Sequence, residues 1–259
     1  MIWNIFKRRS GAEISQQRWQ EVESVLPFLD HLSNDSRARL RSLALQFISE
    51  KEWHGARGLV LTQEIQLSIA LQACLPVLKL GLSWYRGWVG IIIYPGDFVI
   101  PRQIMDDDGI VHEYEDEVLG EAWEGGPVLL SWFGATEGED IGGINVVLHE
   151  FAHKLDMRRG APEGLPPLHP GMSRGDWIAA FAPAFGDFQK RVDAGEETEL
   201  DPYASESPAE FFAVMSEAFF QTPLLLRREY PAVYRQLSLF YRQDPAQRTT
   251  IYRMHKPGL

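Results

Sequence analysis

Two histidines four residues apart, with a glutamate beside the first, carry the most readable chemistry in this chain: His149-Glu150-Phe151-Ala152-His153. On a helix, residues four apart lie one turn apart on one face, so both imidazoles can grip one cation. Glu150 then stands where it can take a proton from a water on that cation. At about 100° per residue, Ile144, Leu148, Phe151 and Leu155 form an apolar stripe. His149 and His153 fall nearly opposite, sharing their side with Gly142 and Asp156. A helix with an apolar back and two imidazoles in front reads as a metal site, rather than as a surface helix with incidental histidines.

A catalytic zinc usually has three protein ligands. One layout places a third histidine six residues after the second, past a glycine. Asp156 and Arg159 occupy those two positions and exclude it. The other takes a glutamate from a later helix, and Glu206, Glu210, Glu217 and Glu229 are the candidates. Glu210 falls in the first turn of a helix opened by Ser207-Pro208, a cap followed by proline at the first position. There it is either a helix-start charge or a buried ligand, and its neighbours Ala209, Phe211 and Phe212 favour the ligand. Glu217, seven residues on and on the same face, is either an acceptor behind a ligand histidine or a solvated charge.

These groups need a scaffold, and 259 residues with 45% hydrophobic content are enough for one large core or two small ones. The net charge of −11 argues against a nucleic-acid binder held by phosphate contacts. The single cysteine, Cys74, makes no internal disulfide, which points to a reducing compartment. Set among Leu71, Ala73 and Leu75, it reads as a core thiol. Met1 to Arg9 has too short an apolar part for a signal peptide. Ile65 to Trp84 is interrupted by Gln66, Gln72, Pro76 and Lys79 and reads as buried helix rather than a membrane span. A cytoplasmic location is expected.

Helices are expected across Ser15 to Glu50, with a break at Pro27 and a cap in Ser33-Asn34-Asp35-Ser36, and from Thr62-Gln63-Glu64 through Leu71, broken or kinked near Pro76, to an end at Gly81. Glu52 to Gly58 reads as a connector. Trp88 to Tyr94, Phe98 to Ile100, Ile110 to Leu119 and Val128 to Trp132 read as strands, the last being the expected open edge along the cleft. Asp106-Asp107-Asp108-Gly109 reads as a solvated turn. The loop before the histidine helix carries Gly134, Gly138, Gly142 and Gly143. Further helices are expected over Asp176 to Val192, from Ser207 to about Phe220, and from Leu224 on, broken at Tyr230-Pro231 and Asp244-Pro245. The fold class is α+β, with a helical region over 1–86 packed on a catalytic region over 87–259.

Val146 to Asp156, with Gly126-Pro127-Val128-Leu129-Leu130-Ser131-Trp132, Asp201-Pro202-Tyr203-Ala204 and Pro208-Ala209-Glu210-Phe211-Phe212-Ala213-Val214, resembles the Mlc titration factor A family of bacterial cytoplasmic zinc peptidases. The resemblance covers most of the chain. It implies a zincin core with a small mixed sheet, similar to the anthrax lethal factor protease domain, and helices added at both ends. It implies one zinc per chain on His149, His153 and Glu210, with Glu150 as general base and Tyr203 stabilising the transition state. It also implies peptide substrates cleaved as by an aminopeptidase, and a partner in the Mlc repressor of glucose-transport genes. A protein that mainly sequesters a transcription factor is the rival reading.

Overall fold

A computed structural model describes residues 14–105, 111–132 and 145–247, with only the backbone of 100–105 and 111–117. The amino-terminal apolar stretch, the Asp106–Gly109 turn and the glycines of the loop before the histidine helix lie outside the described residues.

The chain opens with α1 (Gln16–Ser24) and α2 (Asn34–Glu50), capped by the hydroxyls of Ser15 and Ser33. Next come β1 (Glu52–Gly55) and α3 (Gln63–Cys74), the latter capped by Thr62. The next five elements are strands: β2 (Gly90–Pro95), β3 (Phe98–Met105), β4 (Val111–Val118), β5 (Gly120–Ala122) and β6 (Val128–Trp132). The rest is helical: α4 (Val146–Asp156), α5 (Arg174–Asp193), α6 (Pro208–Gln221), α7 (Pro223–Glu229) and α8 (Pro231–Tyr241). Prolines stand at the first positions of α6, α7 and α8, where a missing N–H costs nothing. The architecture is α+β with a small mixed sheet.

The main sheet has the order β1-β2-β6-β5, and β3 and β4 form a separate antiparallel hairpin. β1, β2 and β6 run parallel, and β5 pairs antiparallel to β6. Two sequence expectations fail here. Glu52–Gly55 is a strand rather than a connector, because its backbone completes a parallel ladder with Gly90–Ile93. Val128–Trp132 is a strand with the expected ends, but it is interior: β2 covers one side and β5 the other. The edge on the β6 side of the sheet belongs to β5, three residues long and too short to show a pattern. The chain leaves the hairpin at Val118 and enters the main sheet at Gly120.

One buried apolar cluster includes residues from Trp19 to Ala246. The apolar back of α4 seats Phe151 against Phe47, Tyr85 and Trp88, with ring centroids 5.2–5.8 Å apart. The histidine side of α4 is covered as well, so every residue from Val147 to Asp156 is buried. Lys154 Nζ donates to the carbonyls of Trp123 and Gly126, which pins the β5–β6 turn to α4. Cys74 is fully buried, and burial pushes its thiol well up, in keeping with a core thiol.

Candidate metal centre

Two helices build the centre. α4 begins at Asn145, whose side-chain oxygen accepts the Leu148 N–H at 2.9 Å and satisfies one of the helix's open donors. α6 begins at Ser207, whose hydroxyl accepts the Glu210 N–H at 3.2 Å. Phe211 and Phe212, both fully buried, anchor that first turn and face α5 through Phe181, Phe185, Phe188 and Trp177. Burying such a ring contributes about 1.5–3 kcal/mol, so Glu210 is carried on a fixed backbone.

Glu210 Oε2 lies 2.9 Å from His149 Nε2 and 3.2 Å from His153 Nε2, and the two Nε2 atoms are 3.1 Å apart. Ligand atoms of all three residues lie within 4.8 Å of one another, the only such group of three or more metal-binding side chains found among the described residues. Of the four glutamates open from sequence, the structure brings Glu210 to the histidines. Glu206 is exposed, and Glu229 pairs with Arg191 and Arg228.

Glu217 stands behind the centre. Its Oε1 accepts from His149 Nδ1 at 2.7 Å and its Oε2 accepts the Asn145 N–H at 2.7 Å. With Nδ1 donating to Glu217, Nε2 is the ring nitrogen of His149 that faces the centre. Asn145 Nδ2 donates in turn to Gln72 Oε1, tying α3 into the network. Gln72 and Asn145 brace the cluster and were missed in the sequence; a glutamine inside the apolar run of α3 was the available sign.

Burial alone pushes the Glu210 carboxyl up, but hydrogen bonds from His149 and His153 bring it down to about 2. Burial alone pushes His149 down, and its bonds to Glu210 and Glu217 carry it well above the usual imidazole range. The cluster therefore favours a positive charge between acidic and imidazole groups, a role a divalent cation fills. The donor set of two imidazoles and one carboxylate suits zinc. Glu150 is buried beside them, and burial raises its carboxyl despite the opposing pull of His149 and His153. Its Oε2 has no hydrogen-bond partner among the described residues.

Tyr203 sits in the turn Pro202–Ser205 ahead of α6. Its ring centroid is 6.0 Å from that of His149, and it is 52% exposed, so it borders the centre from the solvent side. Asp156 does not join the ligand atoms; its carboxylate accepts the N–H groups of Gly164 and Leu165 at 2.6 and 3.0 Å.

β5 passes over Glu150 at close range. A methyl group at Gly120 would lie 2.7 Å from Glu150 Oε1 and 2.7 Å from Val146 Cγ1. Leu119 and Trp123 bond to β6 through Ser131 N–H→Leu119 O and Trp123 N–H→Pro127 O. The antiparallel alternation then turns the N–H and C=O of Gly120 and Ala122 away from β6. No helix among the described residues is long and apolar enough to cross a membrane.

Residues 3–242 match the profile of the glucose-regulated metallo-peptidase M90 family. The Mlc titration factor A of Klebsiella pneumoniae (strain 342) is 39% identical over 248 residues, covering 95% of this chain and 92% of that one. The protein of the same name from Yersinia pestis (strain Pestoides F) is 38% identical over 250 residues, covering 95% and 91%. A cluster of two histidines and a glutamate, inside a match that spans nearly the whole chain, leads to one conclusion: this protein belongs to the glucose-regulated metallo-peptidase M90 family.

Proposed function

We propose that this chain is a cytoplasmic, zincin-like peptidase that holds one zinc on His149, His153 and Glu210 and removes residues from peptide amino termini. The convergence of those three side chains beside a buried, unpaired Glu150 oxygen carries the reading. Zinc supplies Lewis-acid polarisation of a peptide carbonyl. Glu150 takes the proton of the attacking water and hands it to the leaving amine. Its carboxyl, raised by burial, is a stronger proton acceptor than a solvated glutamate, which suits it to take the proton from water and then pass it on. An extended peptide adds to the outward N–H and C=O groups of Gly120 and Ala122 as one more antiparallel strand. A free-amine peptide and its N-acetylated twin test the exopeptidase reading. Only the free peptide is expected to be cleaved, and equal cleavage of both overturns it.

Tyr203 donates its hydroxyl to the carbonyl oxygen as charge develops there. Tyr203→Phe is expected to lower kcat by about 10²–10³-fold, the usual loss for one such donor, with zinc content and Tm little changed. Unaltered kcat would leave Tyr203 as a packing residue, and lost zinc would make it a ligand. Gly120→Ala is expected to cost about 100-fold in kcat, the effect of roughly 1 Å of misplacement, because the methyl group meets Glu150 directly. Steady-state kinetics with a parallel zinc assay decide this; wild-type turnover would show that β5 can retreat.

The names of the relatives favour a second activity, binding of an Mlc-like repressor. The two activities separate in one variant. Glu150→Gln stops hydrolysis but is expected to bind the repressor with wild-type affinity in a titration calorimeter, where absence of binding by either form dismisses this partner.

A further inference from the structure

The ligands come from two helices, α4 and α6, whose separation must hold to a few tenths of an ångström for three atoms to share one cation. Near the start of α4, Glu217 of α6 reaches His149 and Asn145. At the other end of α4 a second tie runs through a loop. Asp156, the last residue of α4, is buried, and its two oxygens accept the N–H groups of Gly164 and Leu165. Gly164 is held from its other side, since its carbonyl accepts Trp177 Nε1–H at 3.0 Å from α5. Trp177 is itself buried and stacked on Phe181, with ring centroids 4.3 Å apart.

Held in this way, Gly164 presses on α6. Its φ is +72°, and a Cβ there would lie 2.2 Å from the Pro208 carbonyl oxygen and 2.7 Å from the Pro208 carbonyl carbon. These are backbone atoms, so they give way only if the helix moves. Pro208 is the first residue of α6, two before Glu210. Gly171, in the same loop, also has positive φ, at +94°, but nothing lies within 4 Å of its missing side chain.

We infer that Gly164, braced by Asp156 and Trp177, is a positioning residue that sets how far Glu210 stands from His149 and His153. The inference rests on the proposed function, in which His149, His153 and Glu210 hold the metal. The Gly164 Cα acts as a spacer between the end of one ligand helix and the start of the other. Any side chain there displaces the start of α6 and pulls the carboxylate off the shared point.

The test uses chelator-stripped full-length protein, with zinc affinity measured by competition against a chromophoric chelator and geometry read from the visible d–d bands of the cobalt(II) form. Gly164→Ala is expected to weaken zinc by about 10–100-fold, the range for groups that orient ligands, and to change the cobalt bands. Gly171→Ala imposes similar backbone strain without the contact and is expected to keep wild-type affinity and bands. Asp156→Asn keeps the shape and one acceptor and is expected to weaken zinc to a lesser degree; it carries the test if Gly164→Ala does not fold. Wild-type affinity and bands in the folded Gly164→Ala protein, or in Asp156→Asn where that variant carries the test, overturn the inference. So does equal weakening in Gly164→Ala and Gly171→Ala, which would assign the effect to loop strain. A wild-type protein that binds no zinc fails the metal reading itself and is thereby distinguished.

Discussion

Glu150→Gln is expected to cut peptide hydrolysis by about 10²–10⁴-fold while the protein keeps its zinc and its fold. The substitution preserves size and polarity and removes only the ability to accept and return a proton. Glu150 lies at the sheet side of α4, where Gly120 packs on it and β5 closes it off from bulk water. Burial raises its carboxyl, and the neighbouring histidines draw it back, so its proton affinity moves toward the range where general bases work. A glutamine amide fits the same space but has no such affinity. Single-turnover kinetics beside a metal assay read both halves of the expectation. Near-normal turnover would show that another group serves as base.

His149→Ala and His153→Ala are each expected to abolish stoichiometric zinc, because two ligands from opposite helices cannot hold a catalytic zinc as three do. The two variants are expected to differ in the stability of the metal-free protein. His149 also occupies Glu217, so its removal leaves a carboxylate that is only 6% exposed without its imidazole partner. Leaving such an acceptor unsatisfied costs about 1–3 kcal/mol, which lowers Tm by roughly 2–4 °C per kcal/mol in a chain of this size. His153 has no second acceptor behind it among the described residues, its Nδ1 being unpartnered, so His153→Ala is expected to be the more stable of the two without metal. Calorimetry in the presence of a chelator compares them. Full zinc retention by either variant would refute the ligand assignment.

Much of the centre could be read in the sequence because its chemistry is local. Two histidines on one helical face need a spacing of four, and Ser207-Pro208 marks a helix start, so α4 and the first turn of α6 were legible residue by residue. Glu217 was legible as a same-face neighbour of Glu210, although its contact with His149 was not. The sheet was harder. Val128–Trp132 announces itself by composition, but its place depends on β5, and three residues carry no periodicity. Glu52–Gly55 is mostly exposed and polar, so nothing in its residue types separates an edge strand from a connector. Asp156 was visible as a charge on the histidine side of α4. Its partners are backbone N–H groups eight and nine residues on, and residue types do not mark those. Gly120 and Gly164 matter through what they leave out, which only neighbouring atoms reveal.

One metal is expected to sit between α4 and α6, on the cluster of His149, His153 and Glu210. Crystals of the zinc-loaded protein, with anomalous differences collected on either side of the zinc absorption edge, test it most directly. A single zinc-specific peak is expected about 2.0–2.2 Å from His149 Nε2, His153 Nε2 and a Glu210 carboxylate oxygen. A fully loaded protein whose zinc peak lies elsewhere, or is bound without Glu210, would contradict the account.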